Sequence, residues 1–181
     1  MTPRRIPESE MQESLVALAG AGVPLFVDAP ARGSPLERDA YRDLLRELLV
    51  SGDVHLLVAI PCLLAANDGA ASSMAIREVA EGVDETDRAR LGLLVRLARA
   101  LCVSRGPDLR HLLGHTPRLD PVSFEPSQLP DPGEDCGEAC VREAADREED
   151  ARQPAVAADA ERAFDTWIGI LSARRGSLES A

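Results

Sequence analysis

Ser34-Pro35-Leu36-Glu37-Arg38-Asp39-Ala40-Tyr41-Arg42-Asp43-Leu44-Leu45-Arg46-Glu47-Leu48-Leu49-Val50-Ser51-Gly52 spells a helix together with its two ends. Apolar residues at 36, 40, 44 and 48 run beside 41, 45 and 49, so one face is apolar at the helical period. Arg38, Arg42 and Arg46 alternate with Asp39, Asp43 and Glu47 on the other side. Ser34 and Glu37 have the spacing of a capping box, with Pro35 at the first helical position, where its missing N–H costs nothing. Ser51-Gly52 ends the segment.

Working outward, Asp53 is placed to cap a helix through Val54, His55, Leu56, Leu57, Val58 and Ala59. The stretch to Ala66 is apolar nearly all round, which predicts a central buried helix that Pro61 kinks or restarts. After Asn67-Asp68-Gly69, Ser72 or Ser73 is expected to cap a short helix that Gly82 stops. Asp84 opens the next helix, whose stripe is Leu91, Leu94, Val95, Ala98, Leu101 and Cys102, with Arg88, Arg96 and Arg99 off it. Gly106-Pro107 begins a short helix over 108–113. Upstream, 8–19 reads as a helix ended by Gly20 and Gly22, and Val23 to Val27 as an extended run with no partner strand. Leu45, Leu57, Leu94 and Ala98 are expected in one core.

From His115 to Asp135 the pattern changes. Pro117, Pro121, Pro126, Pro130 and Pro132 forbid a helix or a central strand, so this is read as a strap or linker, with Val122 and Phe124 as anchors. Residues 137–150 read as an acidic helix with almost no apolar face, and 155–174 as an amphipathic helix carrying Val156, Ala160, Ala163, Phe164, Trp167, Ile168 and Leu171. The expected fold is all-α: an irregular antiparallel bundle of six to eight helices with a proline-rich crossing before the last two. The expected organisation is a helical core over 1–114, the strap over 115–135, and an acidic helix plus an amphipathic helix over 136–181. That last helix is expected to pack on the core or on a partner.

Composition narrows the function. Of 181 residues, 45% are hydrophobic but only 3% aromatic, so the core is aliphatic and a base-stacking surface is disfavoured. The net charge is −11, and all twenty basic residues are Arg. Without Lys there is no Schiff-base or phosphate-loop lysine. No global basic footprint for direct DNA binding exists either. Residues 1–114 hold 13 Arg against 16 acids (−3), and 115–181 hold 7 against 15 (−8). The longest apolar run, Leu56 to Ala66, is too short to span a bilayer, and no apolar run follows the N-terminus. These features lead to the expectation of a cytoplasmic protein with reduced cysteines and no membrane association.

Two constellations carry possible chemistry. His111-x3-His115 followed by Cys136-x3-Cys140 supplies two nitrogens and two sulfurs, a set that suits tetrahedral zinc. The plainer reading is a cysteine pair in a solvated acidic segment. Arg105-x5-His111, overlapped by Arg110-x4-His115, resembles the Arg…His motif of the HEPN family. That resemblance implies an all-helical, metal-independent ribonuclease in which Arg105 and His111 would bind and cleave RNA. Against it, Gly106-Pro107 breaks the helix that should carry the motif, and an acidic protein repels RNA. Cys62 and Cys102 lie on apolar stripes and read as small buried hydrophobes.

The leading expectation is therefore a non-enzymatic interaction module with no cofactor. Phe164, Trp167, Ile168 and Leu171 form an apolar face that must be buried, either in the chain's own bundle or against a second chain, including a second copy. Glu143, Glu148 and Glu149 would steer a partner with a basic surface. The runs from Ser51 to Leu64 and from Ala89 to Ala98 look like small prokaryotic helical proteins encoded beside nucleotidyltransferases in toxin–antitoxin loci, which implies an accessory or antitoxin-type subunit.

Overall fold

In the computed structural model, residues 8–26, 36–67, 69–119 and 153–179 are described. They form eight helical elements, and no strand occurs among them. The elements are α1 (Glu8–Gly20), α2 (Arg38–Ser51), the single turn α3 (Val54–Leu57), α4 (Ile60–Ala66), α5 (Ala70–Gly82), α6 (Glu85–Ser104), α7 (Gly106–Leu113) and α8 (Gln153–Glu179). The chain is all-α, as the periodicity of its sequence predicts.

α1 ends in a Schellman motif. Val23 N–H donates to Leu18 O at 2.9 Å and Gly22 N–H to Ala19 O at 3.1 Å. Gly22 has φ of +89°, a conformation glycine adopts without penalty, and the apolar residues on either side of the motif, Leu18 and Val23, are both buried. Val23 is followed by bends, not by a strand.

α2 starts three residues later than a Ser34 cap would place it. Its N-cap is Glu37, extended at φ −61° and ψ 151°, with no side-chain cap. Ser34 and Pro35 of the expected capping box lie outside the described residues. A tertiary contact competes with it: Leu36 N–H donates to Asn67 Oδ1 at 3.4 Å while the Leu36 side chain packs on the core, which holds that backbone out of the helix. Beyond the cap the pattern holds, with Tyr41, Leu44, Leu45, Leu48 and Leu49 buried, although Ala40 is exposed. Gly52 closes α2 at φ +65°.

Asp53 caps α3 by accepting from His55 N–H at 2.8 Å. The apolar run then breaks at Val58-Ala59 and restarts as α4 with Pro61 in its first turn. Every residue from Leu56 to Ala65 is buried, which makes this segment the centre of the bundle. α5 begins at Ala70, so Ser72 and Ser73 lie inside its first turn and do not cap it. Their hydroxyls donate backward, to Asn67 O and Gly69 O. Asp84 caps α6 by accepting from Asp87 N–H at 2.9 Å. The whole predicted stripe of α6 is buried, and so are Leu93, Leu97 and Ala100, because α6 packs against α2, α4, α5, α7 and α8.

Leu45, Leu57, Leu94 and Ala98 share one core, and Ala157, Ala160, Phe164 and Trp167 of α8 belong to it. α2 packs most extensively on α5, where Glu78 pairs with Arg38 and lies 3.7 Å from Arg42. Leu94 is fully buried, so Leu94→Ala should cost about 2–5 kcal/mol in urea denaturation. Arg46→Ala, on the exposed face of α2, should change stability by less than about 0.5 kcal/mol.

Candidate functional site

Arg105 sits where α6 ends and α7 begins, its backbone N–H donating to Leu101 O at 2.9 Å. The break comes from Gly106-Pro107, since Pro107 has no N–H to continue the α6 ladder. From that corner the guanidinium reaches α8. Nε donates to Asp165 Oδ1 at 2.9 Å and one terminal nitrogen to Asp165 Oδ2 at 3.2 Å, a forked pair; the same nitrogen donates to Glu161 Oε1 at 3.3 Å. Glu161 and Asp165 are four apart, so both carboxylates lie on one face of α8. Arg105 is thus a clamp between the α6–α7 corner and the last helix. Its fork already binds two carboxylates, which would have to be displaced before a phosphate could bind.

His111 is exposed on α7, and its contact with α8 is made by the backbone, its carbonyl accepting from Arg175. His115 is exposed beyond the α7 cap, with Nδ1 3.3 Å from Leu113 O. Cys136 and Cys140 lie outside the described residues. Among the described residues no group of three or more His, Cys, Asp or Glu side chains could hold a metal ion.

Cys62 and Cys102 are free and buried, as their positions on apolar stripes predict. Burial pushes the Cys62 thiol well above its ordinary value, and the neighbouring Cys102 adds to the shift. A thiol held neutral in this way is a packing group and not a nucleophile.

The apolar face of α8 is taken up in cis. Phe164 and Trp167 are completely buried and stack edge to face, with ring centroids 5.2 Å apart and planes at 72°. Trp167 Nε1 donates to Gly22 O at 2.9 Å, which satisfies the one polar atom of the indole. Ile168 and Leu171 are partly buried against the same core. Of the two burial sites expected for this face, the chain's own bundle takes Phe164 and Trp167 fully and Ile168 and Leu171 in part. Apolar surface of this size is stabilised by removal from water, and α8 packs against α3, α4, α6 and α7. Glu143, Glu148 and Glu149, together with residues 137–150 as a whole, lie outside the described residues.

What composition by thirds does not resolve is how sharply the charge is placed. Residues 120–152 hold eleven acids against three Arg, net −8, and the rest of the chain holds twenty acids against seventeen Arg, net −3. No family model, no curated protein and no solved structure matches this chain.

Two outcomes follow from this geometry. Arg105→Ala and Asp165→Asn should each cost about 1 kcal/mol and be strongly non-additive in a double-mutant cycle, because the pair is forked but partly exposed. Cys62 and Cys102 should resist iodoacetamide in the native protein and react only on denaturation, as read by peptide mass spectrometry.

Proposed function

We propose that this chain is a non-enzymatic helical interaction protein of the accessory or antitoxin type, acting in the cytoplasm, and that residues 136–150 are the part that engages a partner with a basic surface. One observation supports this reading above the others. The apolar stripe of α8 is buried in cis while −8 of the net −11 lies in the 33 residues joining Leu119 to Gln153. The apolar surface is used for stability, and what remains to offer a partner is charge.

Carboxylates at high density suit a partner built to handle phosphate, since both present oxygen anions to Arg and Lys. Such a contact is governed by long-range attraction, so it acts mainly on the association rate and is sensitive to salt. Against the ribonuclease reading stands Arg105, whose guanidinium is held by Asp165 and Glu161.

The test is association with the products of the genes flanking this one, measured by biolayer interferometry across a salt series. Charge reversal of Glu143, Glu148 and Glu149 should slow association, flatten its salt dependence and leave the melting temperature nearly unchanged. Unchanged association with a bona fide partner, or a large loss of stability from the triple change, would refute the reading. RNA cleavage by the purified chain that is lost on His111→Ala would replace it with the nuclease.

A further inference from the structure

From α2 to α7 the connections are short: 52–53, 58–59, 67–69, 83–84 and Arg105 alone join consecutive helices. A displacement of any of these helices pulls directly on its neighbours, so they are bound to move together. α8 stands apart in the chain. The 33 residues from 120 to 152 separate Gln153 from Leu119, the last described residue before it. A connection of that length constrains its ends weakly, because closure entropy grows only slowly with loop length. α8 can therefore leave its place without obliging α7 to follow.

What seats α8 is equally distinct. Its buried side chains are Ala157, Ala160, Phe164 and Trp167, one stripe in which two of the four are alanines. From 168 to 177 no residue is buried. Every residue from Leu56 to Ala65, at the centre of the bundle, is buried. The Arg105 fork ends on Asp165, whose side chain is 49% exposed, and the contact of Arg175 with His111 O is exposed too, so water can replace both. On the outward face the polar groups of α8 are satisfied within the helix. Thr166 and Ser172 donate to Arg162 O and Ile168 O, and Arg162 pairs with Asp159. The bond from Trp167 Nε1 to Gly22 O, by contrast, is made only while α8 is seated.

We infer that α8 is a latch: it leaves the bundle as one unit while α2–α7 stay folded, and Phe164 and Trp167 reach solvent only in that open state. Proteins open in contiguous cooperative units, and those with few buried apolar contacts open first. The device turns the aromatic pair into an apolar surface that the closed chain hides. It goes beyond the function proposed above, which concerns residues 136–150, and it needs no partner, so each idea can fail alone.

The experiment is native-state hydrogen exchange on the full chain, read by NMR over urea concentrations below the unfolding transition. The indole N–H of the single Trp is the probe. It should exchange at least about tenfold faster than the backbone amides of Leu45, Leu63 and Leu94. Its dependence on urea should be measurable but shallower than theirs, since undocking exposes less surface than unfolding. Ile76→Val, in the core on α5, which packs on α2 and α6, should speed exchange of those amides about fivefold and leave the indole unchanged. Asp165→Asn, on α8 itself, should speed the indole about two- to fivefold. If Ile76→Val fails to fold, the urea series on the native chain decides. An indole that shares the rate and urea dependence of the slowest core amides, or that Ile76→Val moves as much as the core, overturns the inference, because α8 then unfolds only with α2–α7. Fast indole exchange that ignores both urea and Asp165→Asn overturns it as well, because the ring then moves alone.

Discussion

Two carbonyls at the end of α1 tie the bundle together. The Schellman turn at Ala21-Gly22 closes its own helix and points its remaining carbonyls inward. Gly22 O accepts the indole N–H of Trp167, 145 residues away, and Ala21 O accepts from Asn67 Nδ2 at 3.3 Å. Asn67 also donates to Leu63 O at 3.1 Å and accepts from Leu36 N–H, so one buried amide joins the end of α1, the end of α4 and the entry to α2. Each of these polar groups would be costly to bury alone, by about 1–3 kcal/mol. The turn that satisfies them depends on the positive φ of Gly22. A side chain there meets only Ala66 Cβ at 3.9 Å, so backbone conformation and not crowding is what demands glycine.

The Arg105 clamp secures the opposite flank of α8. It shows how a short sequence motif acquires its meaning from what lies across from it. An Arg followed six positions later by a His is compatible with phosphate chemistry only if the guanidinium has room for an anion. Here the anions are supplied from within, by Glu161 and Asp165 at helical spacing on α8. The helix break that follows Arg105 is what turns it toward α8, and His111, six residues on, contributes its backbone and leaves its ring exposed.

Features that depend on neighbouring residues were legible in the sequence, and those that depend on distant ones were not. The caps at Asp53 and Asp84 and the restart at Pro61 are decided within four residues, and the structure has them where the pattern places them. Ser34 lies outside the described residues, and the N-cap of α2 falls at Glu37, next to the Leu36 N–H that donates to Asn67 thirty-one residues on. The serines of α5 do not cap it because Gly69 is its N-cap and they fall inside its first turn, where their hydroxyls donate back to Asn67 O and Gly69 O. The stripe on α8 announced that it must be buried, but periodicity says nothing about against what. The partner of Trp167 is a backbone carbonyl, which carries no signature in the sequence. The Arg105 clamp was half legible: Glu161 and Asp165 stand four apart, yet only the tertiary fold sets an arginine between them.

The placement of charge separates what holds this protein together from what it can offer. Outside residues 120–152, twenty acids face seventeen Arg, and many of these acids already have structural work: Asp53 and Asp84 as caps, Asp39 and Asp43 beside Arg42, Glu78 beside Arg38, Glu161 and Asp165 on Arg105. A nearly neutral body of this kind gains local helix support and suffers little self-repulsion. The residues from 120 to 152 have the opposite composition, with eleven acids, three Arg and the greater part of the prolines beyond position 114. Among the described residues, Trp167 and Phe164 of α8 belong to the core, whose members are nearly all apolar. A run of like charges carries a cost from mutual repulsion, which screening by salt or an opposite charge relieves.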